Sequence, residues 1–153
     1  MLAKLGNWIR DFNEDETASL SGDAEWARTL AGLLVEAAMA DGDLDDDERT
    51  QIAAALESQL HLTADEIATI IDGAIRTQEE SIEIHSLTRA IRADTDADER
   101  VAIMEMAWMV VLADGNLHQY EAQLMRRLAG LLYVEDIDSG KAAKRARARL
   151  QHS

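Results

Sequence analysis

The sequence predicts an all-α fold: a compact array of about seven helices with an internally duplicated three-helix unit, preceded by a short N-terminal amphipathic helix. Three observations predict it. The 153 residues include no proline, and good helix formers (Ala, Leu, Glu, Arg) far outnumber the aromatics. Apolar residues recur at three- and four-residue spacing, the period of a helix rather than of a strand. An Ala-Asp-Gly turn occurs twice, at Ala40–Glu48 and at Ala113–Glu121, between apolar segments that also match.

Leu2, Leu5, Ile9 and Phe12, with Trp8 beside them, mark the first amphipathic helix. Asn13–Gly22 is polar and aperiodic and reads as a linker, which makes residues 1–22 an N-terminal segment and 23–153 the helical domain. A second helix runs from about Asp23 to Asp41 on the stripe Trp26, Leu30, Leu33, Leu34, Ala37 and Ala38, and Gly42 stops it. Asp45 can cap a third helix to about Leu60, with Glu48 at its third position. Thr63 and Glu66 form a capping box for a fourth, which carries Ile67, Ile70, Ile71, Ala74 and Ile75. A short fifth helix covers about Ser81–Ala93. Asp96 and Glu99 cap a sixth that reaches Asp114 and Gly115, a seventh spans His118–Tyr133, and an eighth covers Ser139–Leu150.

A shift of 73 positions superposes Ala40, Asp41, Gly42, Leu44 and Glu48 on Ala113, Asp114, Gly115, Leu117 and Glu121. It also pairs Leu30 with Ile103, Ala37 with Val110, Ile52 with Met125 and Leu60 with Tyr133, then fades where Ile67 falls on Gly140. Repeat 1 is therefore about 23–78 and repeat 2 about 95–150, joined by a bridging helix at 81–93. Each unit alone would leave an apolar face uncovered, so the two are expected to share one core about a pseudo-twofold axis.

Charge narrows the function classes. The net charge is −15, yet Lys141–Ser153 holds five basic residues and no acid, so the rest of the chain carries −20. Such an acidic body repels phosphate backbones and attracts cations or basic partners, which argues against nucleic acid as its ligand. There is no cysteine, hence no disulfide, thiolate metal site or cysteine nucleophile, in keeping with a cytoplasmic protein. Met1–Asn13 lacks the apolar core of a secretory signal, and the apolar run Ile103–Ala113, broken by Glu105, is too short to span a bilayer.

Most of each Ala-Asp-Gly unit is explained as a tight helical corner. Glycine past a helix end takes the left-handed conformation cheaply, and a glutamate in the next first turn offsets exposed N–H groups. Asp41 and Asp114 do not fit that account, because a carboxylate at a helix C-terminus is unfavourable by about 0.3–1 kcal/mol. In the first copy Asp43, Asp45, Asp46, Asp47 and Glu48 add like-charge repulsion. A hard divalent cation or a basic side chain would relieve the conflict. An EF-hand register fails: its sixth position, which should be glycine, is Asp46 or Gln119, and its twelfth, which should be glutamate, is Ile52 or Met125. Clustered carboxylates still suit calcium or magnesium better than zinc.

The segments ADGDLDDDE and ADGNLHQYE, each set between two apolar helices, resemble the signature of the TerB-like family of bacterial tellurite-resistance proteins over roughly Asp23–Arg149. The resemblance implies a compact seven-helix fold with internal duplication and acidic residues clustered at its corners. It also implies divalent-cation binding and association with membrane-protein partners in stress or metal-resistance systems. Carried over, the acidic cluster is Asp41, Glu48, Asp114 and Glu121. With Asp45 these make five candidate metal ligands for a weakly bound calcium or magnesium ion. The second copy departs from the first in having Asn116 for Asp43 and His118 for Asp45.

The remaining features are expected to be structural or adhesive. The C-terminal helix places Lys141, Lys144, Arg145 and Arg149 on one face and Ala143, Ala146 and Leu150 on the other. It either docks apolar side inward or contacts an anionic surface. The Leu2–Phe12 helix packs on the body or reaches a membrane or a partner. Trp26, Trp108, Met104, Met106 and Met109 belong to the core. No nucleophile elbow, zinc-protease motif or phosphate loop is present, and His61, His85, His118 and His152 are dispersed, so the expectation is a binding module rather than an enzyme.

Overall fold

The computed structural model describes residues 24–39, 45–60, 62–79, 86–112 and 119–151. These form seven helices and no strand: α1 (Ala24–Met39), α2 (Asp46–Leu60), α3 (Ala64–Glu79), α4 (Ser86–Asp94), α5 (Ala97–Val111), α6 (Gln119–Leu131) and α7 (Asp136–Gln151). The N-terminal amphipathic segment and both Ala-Asp-Gly turns lie outside the described residues.

Helices α1 and α5 form the centre. Every residue of α5 from Ala102 to Val111 is buried, as is nearly every residue of α1 from Leu30 to Met39. A helix apolar all round can exist in water only when other helices surround it. α1 packs against α2, α3, α4, α5 and α6, and α5 packs against α1, α2, α6 and α7. These contacts come in pairs related by the repeat: α1 with α3 answers α5 with α7, and α1 with α6 answers α5 with α2. The second pair joins one repeat to the other, so the core is shared between them.

The helix starts follow their expected caps. Asp96 Oδ1 accepts from the Glu99 N–H at 2.8 Å, and Glu99 Oε1 accepts from the Asp96 N–H at 3.0 Å. Thr63 and Glu66 exchange the same two bonds, both at 3.1 Å. The Glu66 carboxyl lies below the ordinary glutamate range because of the Thr63 backbone N–H, with further help from Arg28, whose Nε and guanidinium nitrogen reach it at 3.1 and 3.0 Å.

Three expectations are corrected. Helix α7 begins at Asp136 rather than Ser139, because Glu135 supplies the first helical carbonyl, to the Ser139 N–H at 2.9 Å. Tyr133 is not the apolar mate of Leu60: it is 72% exposed, with φ 58°, and closes α6. There the Val134 N–H bonds Ala129 O and the Tyr133 N–H bonds Gly130 O, a Schellman stop with a left-handed tyrosine where glycine is usual. Arg92 braces it by stacking on the Tyr133 ring at 4.3 Å and donating to Leu131 O at 2.7 Å. Past this stop the repeat continues at a shift of 72. Leu60, Leu62, Ile67, Ile70 and Ile71 now match Leu132, Val134, Ser139, Ala142 and Ala143, all at least partly buried.

The third correction concerns Arg149. It lies on the inner face of α7 with Ala142 and Ala146, not on the exposed basic face. Its Nε donates to Oε2 of the buried Glu105 of α5, while Arg145 Nε donates to Oε1 at 2.7 Å. The acid that interrupts the apolar run is thus the anchor of the basic helix. Ser139 joins the same interface by accepting from Trp108 Nε1 at 3.2 Å.

Candidate functional site

The site predicted from sequence is a pair of acidic corners, one between α1 and α2 and the other between α5 and α6. Of its five residues, Asp41 and Asp114 lie outside the described residues; Asp45, Glu48 and Glu121 are described.

Asp45 stands just before α2 and is exposed. Its Oδ1 accepts from the Glu48 N–H at 2.8 Å, and Glu48 Oε1 accepts from the Asp45 N–H at 3.1 Å. This is a third capping box, and it occupies one oxygen of each carboxylate. Asp46 and Asp47, in the first turn, are also exposed. The positive end of α2 favours that charge, yet four consecutive acids still repel one another. Arg49, the next residue, does not neutralise them: its guanidinium reaches across to Asp72 of α3 at 3.1 Å.

Glu121 occupies the matching place on α6 but in other surroundings. It is 7% exposed and borders a small apolar hollow with Leu34, Ile52, Leu56, Val110 and Leu124. Those residues come from α1, α2, α5 and α6, the helices that lead into and out of both corners. Glu48, by contrast, is only half-buried. The acids described at the first corner are therefore exposed or half-buried, whereas Glu121 at the second is drawn toward the core. Among the described residues no three His, Asp or Glu side chains stand together as a ligand set.

Two structural carboxylates went unrecognised in the sequence: Glu105, read only as a break in an apolar run, and Glu36, not singled out at all. The two oxygens of Glu36, on α1, accept from the Leu87 and Thr88 N–H groups at 2.9 and 3.0 Å and so cap α4 from another helix. Gly32, one turn earlier, admits α4 closely: a Cβ there would sit 2.8 Å from Leu87 Cδ2. A lone acid in an otherwise apolar helix was the available signal, since burial demands a partner.

No helix among the described residues is long and apolar enough to cross a membrane. The family model for Tellurite resistance protein TerB matches residues 27–144, most of the chain and both corners. No curated protein and no solved structure gives a significant match.

Proposed function

The chain belongs to the tellurite resistance protein TerB family, and on that premise we propose that it is a non-catalytic binding module whose acidic helix corners hold a divalent cation. The observation that carries this reading is the state of the first corner. Asp45, Asp46 and Asp47 are all exposed within one helical turn, and the adjacent basic residue, Arg49, is committed to Asp72. The remaining carboxylate oxygens of Asp45 and Glu48, with Asp41 preceding them in the chain, offer hard ligands of the kind calcium and magnesium take. The proposal extends to a stress or metal-resistance role, for which membership of the family is the support, and to a cytoplasmic location and a protein partner, including one at a membrane. A basic patch on such a partner is the alternative ligand for the same charges.

Calorimetry with calcium, magnesium and manganese tests the cation directly. Binding that disappears in Asp41→Asn/Asp114→Asn supports it. If that variant gains stability and the wild-type protein shows no heat and no thermal shift at millimolar metal, the aspartates only strain the corner and the cation reading fails.

A further inference from the structure

The outer face of α7 carries features that the fold does not use. Among the described residues two large hydrophobics are exposed: Tyr133, which belongs to the stop that closes α6, and Ile137, in the first turn of this helix. Gly140, also exposed, has open space where a side chain would be. Charge along this face is sorted, with Asp136 and the half-buried Asp138 at one end and Lys141, Lys144, Arg145 and Arg147 toward the other. The helix macrodipole favours such sorting, but it explains neither the exposed isoleucine nor the register of the charges.

That register is specific. Asp136 and Arg147 are eleven residues apart, three turns, and so flank the same side of the exposed stripe. Asp138 and Arg145 are seven apart, two turns, and flank the opposite side. Both pairs share one midpoint, between Lys141 and Ala142. When two identical helices pack antiparallel about a twofold axis, each flank faces its own copy, and residues equidistant from the axis meet. With the axis at that midpoint, Asp136 meets Arg147 and Asp138 meets Arg145 at once, four acid–base pairs in all. Arg145 can take part because its side chain is 50% exposed beyond its Glu105 bond. Ile137 then falls between Lys144 and Ala148 of the facing helix, and Gly140 lies near the axis where the backbones come closest. Lys141 alone sits beside its own copy, and a long side chain of that kind can carry its charge out to water.

We propose that the outer face of α7 is the contact surface for a second copy of this chain in an antiparallel twofold dimer. One helix per partner makes a small interface, so the association is reversible and weakened by salt. Sedimentation equilibrium from about 10 μM to 1 mM tests it with Asp136→Arg and Arg147→Asp, each checked for native helicity by circular dichroism. The wild-type protein should dimerise. Each reversal acts twice in a symmetric pair and should weaken the dimer at least about tenfold. An equimolar mixture of the two variants should restore it, because the arginine introduced in one chain then meets the aspartate introduced in the other. This mixed-pair rescue is seen only if these residues face one another across the axis. A wild-type protein monomeric throughout the range, a reversal without effect, or a mixture that stays monomeric would each overturn the proposal.

Discussion

Helices α1 and α3 in the first repeat and α5 and α7 in the second meet at equivalent places, but different chemistry holds them. In the first, Ile67, Ile70 and Ile71 of α3 face the core. In the second, the matching positions are Ser139, Ala142 and Ala143, too small to fill much apolar volume. Glu105 supplies the attachment there by binding Arg145 and Arg149. Its counterpart on α1 under the 73-residue shift is Gly32, where α4 packs instead. The two repeats thus share a helix arrangement, but one interface is a seam of large aliphatic side chains and the other combines small buried side chains with a buried ion-pair cluster. A buried ion pair adds little net stability over an apolar substitute, but its partners depend on each other strongly.

The sharpest way to break this contrast is Glu105→Ala. It leaves the guanidinium of Arg149, only 8% exposed, without its buried carboxylate. Urea unfolding should show a loss of about 3–5 kcal/mol. Adding Arg149→Leu should recover much of that loss, since the buried charge that has lost its carboxylate is then gone. Ile71→Ala at the hydrophobic seam should cost somewhat less, about 2–4 kcal/mol by the same measurement, and no second substitution of charge should rescue it. Equal rescue at both seams would mean that they do not differ in kind.

The smallest effect is set by pH at the start of α3. Because the Glu66 carboxyl is held below its ordinary value, its contribution is present above the unfolded-state pKa and is lost as pH falls through the lower folded-state value. Melting temperatures of the wild-type protein and Glu66→Gln should therefore differ at neutral pH and converge on acidification. Curves that stay parallel would show that the Thr63 and Arg28 bonds do not act on the ionised form.

Much of this fold was legible in the sequence because its signals are local. The boxes at Asp45, Thr63 and Asp96 announce helix starts through residues three apart. What escaped was long-range. Glu36 and Glu105 find partners 51 and 40 residues away; a lone acid in an apolar helix signals that a partner is needed, but nothing local says which residue supplies it. The end of α6 escaped for a different reason: Tyr133 adopts a conformation expected of glycine, held there by Arg92 from the bridging helix. At the site, Asp45 and Glu48 were correctly read as a cap, whereas the burial of Glu121 depends on helices from both repeats.

The same asymmetry between repeats bears on function. The first corner presents exposed Asp45, Asp46 and Asp47, while the second has Glu121 turned inward and His118 where Asp45 would be. The proposed cation should therefore be held chiefly by the first. Thermal shift with calcium or magnesium on Asp41→Asn and Asp114→Asn, each alone, tests this most directly. Asp41→Asn should abolish the metal response and Asp114→Asn should keep most of it; equal loss in both, or no response in the wild-type protein, would contradict a site held chiefly by the first corner.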